Sequence, residues 1–155
     1  IRNMNTVMTL VDRETGRARS IVVDHLNAAN VAEILSANLA KEARLMTDEA
    51  KFYIGPGKAF ADHQSVSHAR EEYVRKGDVT IHTNTVEGFY SIFKRGMRGV
   101  YQHCAKKHLH RYAAEFDFRY SNRAALDVDD TNRAVTALQG VVGKPLTSRQ
   151  PDLGT

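Results

Sequence analysis

The sequence predicts an α/β domain. Three observations carry that expectation: two β-rich runs joined by a glycine-containing turn, a helical apolar repeat after them, and a short apolar run that ends on an acidic residue. Strand, strand, helix, strand is an α/β order. A chain of 155 residues has the length of one domain and can bury a sizeable core.

Thr6 to Asp12 reads as the first strand, with Val7, Leu10 and Val11 as apolar members. Arg13-Glu14-Thr15-Gly16 is a turn, and Arg17 to Val23 is a second strand, so the pair predicts a hairpin. Asn27 is placed to cap a helix from Ala28 to Lys41, whose core face is Val31, Ile34, Leu35 and Leu39. Arg44 to Thr47 is a short strand leading into Asp48, with a short helix possible over Glu49 to Tyr53. Gly55-Pro56-Gly57 signals a turn, not a phosphate-binding loop, because no strand and no Lys-Thr pair accompany it. Ser65 to Ser67 offers one more short strand, and Arg70 to Gly77 is charged and expected on the surface. A helix runs from Thr83 or Asn84 to Arg95 and is expected to break across Gly96 to Gly99. A longer helix spans Lys106 to Asn122 with the stripe Leu109, Tyr112, Ala113, Phe116 and Tyr120. A last helix covers Asp130 to Val142, capped by Asp129 or Asp130. Residues 1–143 are read as one domain and 144–155, with Pro145 and Pro151, as a flexible tail.

Composition narrows the function classes. Hydrophobic residues at 42% and charged residues at 26% describe an ordinary globular protein. No apolar run reaches membrane-spanning length and no signal-peptide pattern opens the chain, which predicts a cytoplasmic protein with no membrane partner. The single cysteine, Cys104, excludes an internal disulfide and a cysteine-rich zinc site. The net charge of +4 matters less than its placement: Lys94, Arg95, Arg98, Lys106, Lys107, His108, His110 and Arg111 crowd one stretch. Such blocks follow phosphate backbones, although a solvated helix face has the same composition.

The run His82 to Gly96 carries the most chemistry. At roughly 100° per residue, Asn84, Glu87, Ser91 and Lys94 share one helical face, and Val86, Phe89, Ile92 and Phe93 take the other. Glu87 could then ligate a metal ion with Lys94 against a phosphate beside it. An ordinary amphipathic helix with an exposed Glu and Lys has the same spacing. Gly88 costs roughly 1 kcal/mol relative to Ala in a helix, which suggests close approach of another backbone. Asp48 is a second candidate, since ligands gather at the carboxyl ends of strands in open α/β sheets; a helix N-cap would look the same.

The run His82 to Gly96, then Gly99-Val100-Tyr101-Gln102-His103 and Lys107-His108-Leu109-His110-Arg111-Tyr112, resembles the catalytic domains of DDE-type insertion-sequence transposases of the ISXO-type group. Thr47-Asp48-Glu49-Ala50 with Tyr53, His68 to Val74, and Glu115 to Arg123 resemble the same group, so the similarity covers nearly the whole chain up to Arg123. The resemblance implies a ribonuclease H-like fold, a mixed central sheet flanked by helices. It also implies metal-dependent DNA cleavage at transposon ends and transfer of the freed 3′ hydroxyl to target DNA. Two divalent ions, Mg²⁺ or Mn²⁺, are implied as cofactors. Double-stranded DNA is the implied partner, the active complex a homo-oligomer, and the bacterial cytoplasm its place. Asp48 matches the second aspartate, and the third position lies within Asn84 to Glu87. Glu87 is preferred as metal ligand because a carboxylate neutralises cations better than an amide, which leaves Asn84 to orient a ligand or a phosphate. Lys94 matches the family lysine. Arg95, Arg98, Lys106, Lys107 and Arg111 are expected to contact DNA.

One departure stands out. The family's first aspartate sits in an Asp-Glu-Thr-like motif on a strand upstream of Thr6–Asp12, and neither Asp12 nor Asp24 replaces it. The end-recognition region is missing too. The chain by itself is therefore expected to be an inactive, N-terminally truncated catalytic domain whose sheet lacks a strand between Thr6–Asp12 and Arg44–Thr47, leaving two open edges. The alternatives are a non-catalytic DNA-binding or assembly remnant of a transposase and a general nuclease. The transposase-like run His82 to Tyr112 disfavours the nuclease.

Overall fold

β1 (Thr6–Val11) and β2 (Ala18–Val23) form an antiparallel hairpin with Thr6 opposite Val23 and Val11 opposite Ala18. The structure is a computed structural model that describes residues 6–99, 105–140 and 142. Gly16 closes the hairpin turn at φ 67°, a left-handed conformation that glycine adopts without penalty. The Asp12 carboxylate organises the same turn, accepting from Glu14 N at 2.9 Å and from the Thr15 hydroxyl at 2.7 Å. Alternation along the hairpin sends Val7, Val11, Ala18 and Val22 into a cluster with Phe89, Phe93, Leu109 and Ala113. Met8, Leu10, Ile21 and Val23 enter a second cluster with Val31 and Leu35. Both faces of the hairpin are thus covered by helices, the arrangement expected of an α/β domain.

α1 (Ala28–Asn38) begins where Asn27 predicts, with the Asn27 side chain accepting from Asn30 N at 2.9 Å. It ends before the expected Lys41 because Leu39 turns to extended backbone and packs into the core. β3 (Arg44–Asp48), α2 (Lys51–Gly57) and β4 (Asp62–Val66) make a β-α-β unit, with the two strands parallel and Asp48 opposite Val66. The Gly55-Pro56-Gly57 turn signal is overturned: these residues form the end of α2. Gly57 is needed there because a Cβ would lie 2.0 Å from the His63 ring. β4 starts at Asp62, earlier than the apolar pattern suggests.

The single mixed sheet expected from sequence is present as two two-stranded sheets. Among the described residues no strand joins β1 to β3. Asp12 N donates to Arg17 O, so alternation places Thr6, Met8 and Leu10 in the hydrogen-bonded positions and turns the backbone groups of Val7, Thr9 and Val11 away from β2. The Tyr90 hydroxyl donates to Val7 O on that outer edge at 2.9 Å. At the other end of the gap, Arg13 donates to Thr80 O at 2.5 Å, and Arg44 donates to the Thr80 hydroxyl at 2.8 Å. The stretch around Thr80 therefore ties the end of β1 to the start of β3.

α3 (Asn84–Gly99) does not break at Gly96. A Cβ at Gly96 would sit 2.0 Å from Phe116 Cζ, so this glycine permits close helix crossing instead of ending the helix. Phe89 and Phe93 are buried as expected, with Tyr90 and Met97 packed beside them. Ile92, expected inward, is 48% exposed, because it lies well round the helix from the line Phe89, Phe93 and Met97. Gly88 has nothing within 4 Å of an added Cβ, which removes the suggested backbone approach. The predicted helix from Lys106 opens with a 3-10 turn (Lys106–His108) and continues as α4 (Leu109–Ser121). α4 covers the outer edge of β2: Ser20 N donates to Asp117 at 2.5 Å and Ala18 N to the Ser121 hydroxyl at 3.0 Å. An i,i+4 helical pair spans about 6 Å, close to the i,i+2 spacing of a strand.

The compact unit just described ends at Ser121, and a second begins at Asn122. Its described part holds a 3-10 turn (Ala124–Leu126) and α5 (Asp130–Gln139). Asp129 caps α5, accepting from Asn132 N at 2.7 Å. Cys104, the 144–155 tail and the Val141 end of the last predicted helix lie outside the described residues. Among the described residues no helix is long and apolar enough to cross a membrane.

Candidate active site

Asp48 ends β3, and its exposed carboxylate accepts from Ala50 N at 3.0 Å, which starts the turn into α2. The strand-end position is realised; the N-cap of α2 is Ala50, which carries no side-chain cap bond, so Asp48 shapes the turn before the helix and is not its cap. Two phenols lie within range of its charge. Burial pushes the Tyr53 phenol up to about 12, and Asp48 adds to the shift. Burial also raises the Tyr90 phenol, with Asp117 and Asp48 contributing. Tyr90 sits one turn beyond Glu87 on α3, so the field of Asp48 reaches the helix that bears Glu87.

Glu87 is half-buried in the first turn of α3. Its Oε1 accepts from the buried Thr83 hydroxyl at 2.5 Å, and His68 Nε2 lies 3.2 Å from the same oxygen. His68 Nε2 is also 3.1 Å from Thr83 Oγ1. Asn84, the first residue of α3, is exposed. His82, two residues earlier, has its imidazole pKa lowered by burial and by the Arg13 charge against the opposing pull of Glu87, and Arg13 is bonded to its carbonyl.

Ser91, Lys94, Arg95, Arg98 and Gly99 line one open groove on the outer side of α3. Lys94 and two of the expected DNA-contacting cations, Arg95 and Arg98, are thereby brought together. Lys107 and Arg111 are exposed at and after the 3-10 turn before α4. Lys106 is held by Asp24, Nζ to Oδ1 2.7 Å, and this contact keeps the Asp24 carboxyl below its ordinary value.

Sequence reasoning missed His68, Thr83, Tyr90 and Arg13 as parts of this region. His68 lies in one of the runs that carried the family resemblance, which was the available signal. Tyr90 shows only as an aromatic beside Phe89 on an amphipathic helix, and Arg13 as a turn residue.

A hard cation suits the oxygen donors of Asp48, Glu87 and Asn84. Among the described residues no group of three or more His, Cys, Asp and Glu side chains is arranged to hold a metal. Such an ion takes oxygen donors of this kind, and a pair of ions requires further carboxylates.

Comparison with known proteins gives the class first: residues 2–121 match a transposase domain. The matching description is the ISXO2-like transposase domain, and the chain belongs to this family, within the DDE-type insertion-sequence transposases of the ISXO group. The match ends at Ser121, where the first compact unit ends. No curated protein and no solved structure matches the chain.

Proposed function

We propose that residues 6–121 supply part of the chemical centre of a transposase that cuts DNA at insertion-sequence ends and joins the freed 3′ hydroxyl to target DNA. The observation that carries this reading is the line of Glu87, Ser91, Lys94 and Arg98 along the outer face of α3, in a chain of this family. Asp48 and Glu87 are the carboxylates that hold Mg²⁺ or Mn²⁺. A bound ion would stabilise charge on the phosphoryl oxygens. Asn84 orients a ligand or a phosphate, and Lys94 contacts the phosphate beside Glu87. Arg95, Arg98, Lys106, Lys107 and Arg111 hold the duplex backbone without reading sequence.

The fold of this reading is ribonuclease H-like, with a further strand between the outer edges of β1 and β3. That strand carries the family's first aspartate, so residues 6–121 in isolation hold two of three acidic positions and are inactive alone. The active complex is a homo-oligomer on duplex DNA. The test is strand transfer by a protein extended to include the first-strand aspartate and the end-binding region. Asp48→Ala and Glu87→Ala should each abolish chemistry while duplex binding persists. Activity in either variant overturns that residue's assignment.

A second reading, a non-catalytic DNA-binding remnant, draws on the bonds both carboxylates already make, Asp48 to Ala50 N and Glu87 to Thr83. It predicts that the extended protein binds DNA and never transfers a strand.

A further inference from the structure

Asp48 and Glu87 lie on different elements, and a small turn bridges them. Asp48 and Val66 are register partners in β3 and β4. One residue further on the β3 side, Glu49 Oε1 accepts from Ala69 N at 3.2 Å. Glu49 is thereby bonded to the 3-10 turn His68–Arg70 that follows β4. The same turn carries His68 to the Glu87 carboxylate on α3. The link from one candidate ligand to the other runs Asp48, Glu49, Ala69, His68, Glu87.

The turn is built to hold one shape. Glu72 N donates to Ser67 O at 3.0 Å, the Glu72 carboxylate accepts from Ser67 N at 3.2 Å, and Glu71 N donates to His68 O at 3.1 Å. Glu71 takes a left-handed φ of 55°, uncommon for a residue with a side chain, and this reverses the chain. The His68 ring stands edge-on to Tyr73 at a centroid distance of 5.5 Å, which restricts its rotation. With the proton on Nε2, His68 donates to Thr83 Oγ1, whose hydroxyl donates in turn to Glu87 Oε1, and Nε2 itself lies 3.2 Å from that carboxylate oxygen. Both contacts to the carboxylate fall on Oε1. A carboxylate anchored through one oxygen presents the other in a fixed direction, as outer partners of metal ligands do.

We propose that His68 is a positioning residue for Glu87, and that its turn is the spacer setting Glu87 against Asp48. The inference rests on the reading of these two carboxylates as cation ligands. His68 acts on Glu87 through the Thr83 hydroxyl, as a hydrogen-bond donor, and takes no part in proton transfer. Its side chain is 38% exposed, so replacing it leaves the core intact.

The test is Mn²⁺ binding to the purified chain, followed by the electron paramagnetic resonance signal of free Mn²⁺, with melting curves confirming the fold of each variant. His68→Leu removes the donor and should weaken binding by about tenfold, the lower end for loss of an outer partner. His68→Gln retains an N–H donor and should stay within about threefold of wild type. Glu87→Ala should lose the same binding outright. If His68→Leu binds like wild type while Glu87→Ala loses binding, the positioning role is wrong and the ligand reading stands. Equal weakening by Leu and Gln also overturns the donor role. Unchanged binding in Glu87→Ala, or none in wild type, overturns the ligand reading itself.

Discussion

At the scale of single residues, the proposed chemistry turns on which side chain at the start of α3 would serve a cation. Asn84 is exposed as the first helical residue, whereas Glu87 is anchored by Thr83 and His68. Anchoring favours Glu87, because a ligand already held in place loses little freedom on binding. In the extended, active protein Glu87→Ala should reduce strand transfer by at least about two orders of magnitude, and Asn84→Ala by less. Single-turnover rates in Mg²⁺ decide this, and the reverse order would make Asn84 the third position. Asp117 offers a test of electrostatics away from the site. Burial raises its carboxyl, and the two Ser20 donors only partly offset this. A raised folded value means that this group's contribution to stability is present below the unfolded carboxyl range and is lost as pH climbs through the folded value. At neutral pH the ionised form is a cost that asparagine avoids. An asparagine side chain at this position would accept from Ser20 N and donate to Ser20 Oγ, which can then donate to Thr9. Asp117→Asn should therefore match or exceed wild-type stability at pH 7, lose any advantage in acid, and differ from Asp117→Ala, which strands Ser20 N at about 1–3 kcal/mol. Denaturant titrations at two pH values check the sign.

At the scale of elements, two glycines in one helix should respond oppositely to the same substitution. Gly88→Ala adds a methyl group to open space and should stabilise by up to about 1 kcal/mol through helix propensity alone. Gly96→Ala drives a methyl group into the Phe116 ring and should destabilise by roughly 1–3 kcal/mol. Equal effects in urea melts would mean that α3 and α4 do not cross as described. The pair also shows what the sequence could reveal. Strand alternation, the Asn27 cap, the Asp129 cap and the α4 stripe follow from local rules, and they read correctly. Gly96 reads as a break because a glycine required by a neighbouring ring looks, in one dimension, like a glycine required by a turn. Gly57 misled for the same reason, its partner being His63. The proposed roles of Asp48, Glu87 and Lys94 rest on spacing and family resemblance. Their supports, His68 and Thr83, became legible only once the turn after β4 was seen to fold back onto α3.

At the scale of the whole molecule, the net charge of +4 is spread unevenly, and the distribution sets how the chain should meet DNA. Lys94, Arg95 and Arg98 line a single groove, where a phosphate backbone can meet all three. Lys106 instead directs its charge to Asp24 at 2.7 Å. Neutralised phosphates release counterions, so log affinity should fall by about 0.9 per log unit of salt for each contact. Replacing Lys94, Arg95 or Arg98 with alanine should lower that slope by about 0.9 apiece and weaken binding alike for every duplex sequence. Lys106→Ala should change the slope less, because its ion pair with Asp24 must first be broken. Asp24→Asn should then strengthen duplex binding and steepen the slope by up to about one contact, and this gain should vanish in the Asp24→Asn, Lys106→Ala double variant. Fluorescence anisotropy with two unrelated duplexes between low and physiological salt measures all of these. If affinity barely responds to salt, the basic face is only solvated. If Asp24→Asn leaves the slope unchanged, Lys106 does not reach DNA and the binding surface is confined to α3 and the residues around Arg111.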